Sequence, residues 1–113
     1  MPEPTAQIAA LAACVQRFHE RFGQGDPASL DELLDRIPIQ DEEVRELEQA
    51  LNGEGPDRTA SEAVDVLFVA IGTILRLDPK LAVAAIAEVI DKNDAKTWDT
   101  HHINAAGKVV RKP

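Results

Sequence analysis

Four acidic side chains stand in two pairs of the same spacing: Glu43 with Glu46 and, after fifteen intervening residues, Glu62 with Asp65. Residues three apart on a helix are neighbours on one face, so each pair can close on a single ion. At about 100° per residue, Glu43 and Glu46 flank Ala50 and border the apolar stripe of Val44, Leu47 and Leu51, while Glu48 points toward solvent. If the two acidic segments pack as an antiparallel hairpin around the loop at 52–61, both pairs converge. Two like charges about 4 Å apart repel by about 4 kcal/mol at an effective dielectric near 20, so four such carboxylates demand compensation. A divalent cation supplies it. An all-oxygen donor set without nearby cysteine or histidine selects Mg²⁺, or Mn²⁺, over Zn²⁺. Mg²⁺ also keeps positions open for water and phosphate oxygens, which suits phosphoryl chemistry.

The same residues admit other roles. Thr59-x-x-Glu62 fits a capping box, in which Glu62 would satisfy a backbone N–H at a helix start. Asp65 lies within SEAVDVLFVAIGTIL, residues 61–75, which is apolar around the whole helix from Ala63 to Leu75 and is expected to be buried. A carboxylate there needs a partner, either the metal or a buried salt bridge to Arg45 or Arg36. Glu-x-x-Glu pairs are also common on solvated helices.

The elements that must position these acids follow from periodicity. Ile8, Leu11, Val15, Phe18 and Phe22 define a first helix, ended by Gly23 and Gly25. Asp26 and Pro27 read as the cap and first position of a short second helix through Leu30, Leu33, Leu34 and Ile37, stopped near Pro38. A third runs from about Asp41 to Leu51, NGEGPD at 52–57 breaks the chain, and the apolar segment forms the fourth. Asp78 and Pro79 open a fifth, with Leu81, Val83, Ile86, Val89 and Ile90 on its apolar face. Beyond Asn93 the pattern dissolves into a loop-rich basic tail in which only Val109 and Val110 hint at a strand. The expected fold is all-α: one domain spanning 1–113, an antiparallel bundle of about five helices, with a core completed by dimerisation in so short a chain.

The formal charge of −8 argues against a nucleic-acid-binding surface, yet it is unevenly placed. Residues 92–113 hold five basic and two acidic side chains, against 7 and 18 in residues 1–91. Cys14 is the only cysteine, so no internal disulfide forms and it is expected to pack as a small apolar residue. No leader and no apolar run of about 20 residues is present. The expectation is a cytoplasmic protein with neither membrane nor nucleic-acid partners.

Glu43-x-x-Glu46 followed by Glu62-x-x-Asp65 resembles the acidic signature of the all-α nucleoside triphosphate pyrophosphohydrolases, the MazG and phosphoribosyl-ATP pyrophosphohydrolase superfamily. EVIDKNDAK at 88–96 is similar to that family's Asn-x-x-Lys element, AAGKVVRKP at 105–113 to the Gly-Lys segment of MazG-like members, and FHERFG at 18–23 to their first helix. The resemblance implies Mg²⁺-dependent hydrolysis of a nucleoside triphosphate to the monophosphate and pyrophosphate, in nucleotide-pool housecleaning, by a homodimer or dimer of dimers. Carried over by position, Glu43, Glu46, Glu62 and Asp65 would be the catalytic metal ligands. Asn93 and Lys96 would contact the nucleotide or its phosphates, with Lys108 and Arg111 as further phosphate contacts. Two alternatives remain: phosphoribosyl-ATP hydrolysis, against which the tail with Gly107 and Lys108 weighs, and a catalytically silent helical interaction module. Trp98 either stacks on a base or covers the bundle. His101 and His102, near Asp99, read as solvated loop residues or a second metal site.

Overall fold

The structure, a computed structural model, describes residues 1–113. It is mostly helical: α1 (Pro4–Arg21), α2 (Leu30–Leu34), α3 (Arg36–Leu51), α4 (Gly55–Leu75) and α5 (Pro79–Asp94) precede a hairpin of β1 (His101–Ile103) and β2 (Val109–Arg111). Four helices are long, and the expected second helix is reduced to the single turn of α2. The chain falls into two compact units, Met1–Pro79 and Lys80–Pro113. No helix is long and apolar enough to cross a membrane.

In the first unit, Pro4 opens α1 where a missing N–H costs nothing, and Gly23 follows the helix end at φ +73°. The Val15 side chain is fully buried, and Phe18 meets Phe68 of α4 edge-on at 5.3 Å between ring centres. The cap of α2 is Ser29, not Asp26. Its Oγ accepts from the Glu32 N–H at 3.2 Å while Glu32 Oε1 accepts from the Ser29 N–H at 3.2 Å, a closed capping box. Pro38 does not stop the helix. It stands third in α3, within the first turn whose N–H groups have no intrahelical partner, so α3 begins at Arg36 and not at Asp41.

Only Asn52 to Glu54 separate α3 from α4, and the two helices pack along their length as an antiparallel pair. A polar ladder fixes their register. Arg36 donates from Nε to Thr73 Oγ1 at 2.8 Å and from Nη2 to the Val69 carbonyl at 2.9 Å, and Gln40 donates to the Val66 carbonyl at 3.1 Å. Gly72 makes room for the Arg36 rung, since a Cβ there would lie 2.5 Å from Arg36 Nη2 and 2.7 Å from His19 Nε2. Arg76 is buried as well. It ties the chain before α2 to the end of α4, donating to the Asp26 carbonyl at 2.8 Å and to Glu32 Oε2 at 2.9 Å.

His19 sits between these two guanidinium groups. Burial, then the charges of Arg36 and Arg76, push its pKa below the usual imidazole value, against a smaller opposing pull from the Gln24 backbone.

Pro79, the last residue of the first unit, opens α5 as expected, and in the second unit the helix exposes its apolar side chains Leu81, Val83, Ile86, Val89 and Ile90. The tail is more ordered than its sequence suggests. β1 and β2 pair antiparallel with His101 opposite Arg111, His102 opposite Val110 and Ile103 opposite Val109. Gly107, at φ +83°, closes the turn, where Asn104 Oδ1 accepts from the Ala106 and Lys108 N–H groups.

Two outcomes follow for the first unit. Gly72→Ala will destabilise the fold by about 1–3 kcal/mol in urea unfolding, although alanine is the better helix former by about 1 kcal/mol, because Arg36 and His19 must move. Since the folded His19 pKa is depressed, the unfolded chain takes up the proton first. Stability relative to a His19→Gln variant will therefore decline as pH falls below about 6.5.

Candidate metal centre

The ladder that begins with Arg36 and Gln40 continues to Glu43, one turn further along α3, which it sets opposite the second acidic pair on α4. Glu43, Glu62 and Asp65 each place a carboxylate oxygen within 4.8 Å of the other two. Glu46, one turn beyond Glu43 on α3, adds its charge to the same constellation, where it bears on both Glu43 and Glu62. All four acids singled out from the sequence are thus brought together by one helix pair.

Their burial differs from expectation. Asp65 is exposed, and the carboxylate sunk into the helix pair is Glu62, at 3 % exposure. Asp65 forms no salt bridge with Arg45 or Arg36, and Arg36 is committed to the ladder. The capping box at Thr59 is also absent: α4 starts at Gly55, with Pro56 in its first turn, and the Thr59 hydroxyl donates to the Gly55 carbonyl at 2.9 Å inside the helix. Gly55 at φ +86° lets the chain turn into α4 several residues before the apolar segment.

Arg58, which the sequence reading passed over, holds one oxygen of Glu62 through Nη2 and approaches Glu54 at 3.5 Å through Nε. The other oxygen, Oε2, is buried with no hydrogen-bond partner, as is Oε2 of Glu43. Two orphaned buried acceptors facing the same acidic cluster are costly unless a cation or protons fill the space. Burial first, then Glu46 and Asp65, then Glu62, raise the Glu43 pKa; burial raises that of Glu62, with Arg58 opposing and Glu46 and Asp65 adding to it. The donor set, three to four carboxylates and no nitrogen or sulfur, fits a hard divalent cation such as Mg²⁺.

The positions assigned to nucleotide contacts lie in the second unit. At the end of α5 the Asn93 amide donates to the Val89 carbonyl at 2.8 Å, and its Oδ1 accepts from Lys96 Nζ at 3.0 Å. Lys96 and Arg111 line one cavity together with Lys92, and Lys108 lies in the hairpin turn. Compared with known proteins, the chain matches no family description, no curated protein and no solved structure.

The raised acids set the sign of a pH effect. Their protonated forms stabilise the metal-free fold below the unfolded carboxylate range, and that contribution is lost as pH rises through the higher folded values. Glu43→Gln, which removes one repelling charge, will raise the melting temperature in EDTA at pH 8 by about 3 °C or more. A divalent cation held by these acids would need them ionised, so melting with added Mg²⁺ is expected to show more stabilisation of the wild type at pH 8 than at pH 5, and much less of Glu43→Gln.

Proposed function

We propose that this protein is a divalent-metal-dependent hydrolase of phosphoric anhydrides. More narrowly, it is a nucleoside triphosphate pyrophosphohydrolase that releases pyrophosphate and a monophosphate, with Mg²⁺, or Mn²⁺, held by Glu43, Glu62, Asp65 and the adjoining Glu46. The observation that carries this reading is the meeting of three carboxylates within 4.8 Å, two of them with a buried and unpartnered oxygen. The sequence resemblance to the MazG-like pyrophosphohydrolases supports the narrower substrate class, and housecleaning of the nucleotide pool is its biological counterpart.

The bound ions would neutralise the phosphate charge and acidify a water for attack on phosphorus. The chain's own residues prepare for that. Glu43 and Glu62 are fixed by helix packing, so little side-chain freedom is lost when they take up a cation. Arg58 holds Glu62 by one oxygen and leaves the other for the ion. Asn93, Lys96, Lys108 and Arg111 are assigned to the nucleotide and its phosphates.

The active form is proposed to be a homodimer or a dimer of dimers. Two uncovered apolar surfaces support this: the stripe along α5, and a groove of about 610 Å³ between α1 and α4 lined by Ile8, Leu11, Val64 and Leu67. Sedimentation velocity will show a dimer or larger species, and a monomer at micromolar concentration would remove this part of the reading.

Pyrophosphate release from a panel of canonical and modified NTPs and dNTPs tests the activity. Release is expected with Mg²⁺ and not with EDTA, and Asp65→Asn or Glu62→Gln will lower kcat by about a hundredfold or more. A folded protein that releases pyrophosphate from no nucleotide in the panel would instead favour a non-catalytic helical module.

A further inference from the structure

The second unit carries two cavities that share Lys96 and His101. The larger, about 320 Å³, is lined by Lys92, Ala95, Lys96, Thr100, His101 and Arg111. That volume falls at the lower end of small-molecule sites. No carboxylate lines it, and none of its three cations enters an ion pair; Lys96 is bonded only to the neutral Asn93 side chain. The hairpin register assembles it: Arg111 lies directly opposite His101, and the Lys112 N–H donates to the Thr100 carbonyl at 2.9 Å. His101 Nδ1 pairs with the Thr100 hydroxyl at 2.7 Å, which leaves Nε2 uncommitted. Burial, Arg111 and Lys96 hold this imidazole below its usual pKa, as expected where cations gather without an anion.

The smaller cavity, about 190 Å³, adds Thr97, Trp98, His102, Ile103 and Val109 to the shared pair. Its character is different. The Trp98 indole is 70 % exposed and stacks on no other aromatic ring. An open indole beside two aliphatic side chains is a platform for a flat ring, since every base has a π-face that stacks on an aromatic side chain.

We propose that the two cavities form one site for a phosphate ester that bears a flat ring, in which Lys92, Lys96 and Arg111 take the phosphoryl oxygens, His101 adds a hydrogen bond and Trp98 stacks the ring. A nucleoside monophosphate is the simplest ligand of that class. The inference rests on the pyrophosphohydrolase reading only in identifying the ring as a nucleobase. Every group it uses lies in the second unit, and the site binds without a divalent cation. It joins Lys92 and His101 to the assignment of Lys96 and Arg111, and takes the stacking alternative for Trp98.

The test titrates the full chain in EDTA with adenosine and uridine 5′-monophosphates, following the emission of Trp98, the only tryptophan. Saturable quenching is expected, and Arg111→Gln and Lys92→Gln will each weaken it about tenfold, as loss of one charge-assisted contact does. Inorganic phosphate will compete without quenching. Lys92→Gln, on the exposed surface of α5, leaves the hairpin pairing intact and guards against a folding artefact. Trp98→Leu, followed by calorimetry, will bind the monophosphates more weakly while inorganic phosphate binds unchanged. Absence of both quenching and binding heat, or affinity indifferent to Arg111→Gln and Lys92→Gln, would overturn the site. Mg²⁺-dependent hydrolysis is read separately on the same preparation. Binding without hydrolysis would count against the acidic centre alone, and hydrolysis without metal-free binding against this site alone.

Discussion

The register between α3 and α4 is the constraint on which the acidic centre depends. Hydrophobic packing alone sets it weakly, because apolar side chains on two helices can interdigitate in more than one offset. Arg36 and Gln40 remove that freedom, since their donors reach particular groups on α4: the Thr73 hydroxyl and the Val69 and Val66 carbonyls. The Val69 carbonyl is shared, since it also accepts from the Thr73 hydroxyl at 3.3 Å, so Arg36, Thr73 and Val69 form one closed set of bonds. With the register fixed, Glu43 has no choice but to face Glu62 and Asp65. The stabilising and the repelling rungs are successive turns of the same stripe.

Much of this arrangement could be read from residue spacing. The two carboxylate pairs were legible because the i, i+3 relation survives any shift of helix ends, and the short break near Asn52 forces an antiparallel return. Burial was less legible. The segment 63–75 is apolar around its circumference, which suggested that Asp65 is enclosed; instead Asp65 and Val64 share an exposed side, and Glu62 is the acid that enters. Local periodicity cannot tell which side of an all-apolar helix its neighbours cover. The helix starts differ from the sequence expectation for a chemical reason. Asp-Pro at 26–27 resembles a cap followed by a first position, whereas the reciprocal bonds of Ser29 and Glu32 are the ones the backbone uses. Pro38 resembles a helix breaker, but a proline in the first turn breaks nothing.

The second unit shows the opposite balance. Its basic excess was visible as a count, but the count could not say that Lys92 and Arg111 would border one cavity, because that follows from a two-stranded hairpin with three residues per strand. Strands this short carry almost no alternation for a sequence reading to detect. His101 and His102, adjacent in sequence, both border the smaller cavity, a juxtaposition that follows from the hairpin and not from any local pattern.

The three-residue connection between α3 and α4 also has a kinetic meaning. Pairs near a turn close before pairs far from it, because loop-closure entropy grows with the length of chain enclosed. As the hairpin zips outward, Glu43 meets Glu62 before Gln40 reaches Val66, and the Arg36 contact with Thr73, 37 residues apart, closes last. The chain therefore has to pass an electrostatically uphill rung before it gains the two that lock the register. Any agent that quenches that repulsion, whether protons or a divalent ion, lowers the barrier to folding as well as the free energy of the folded state.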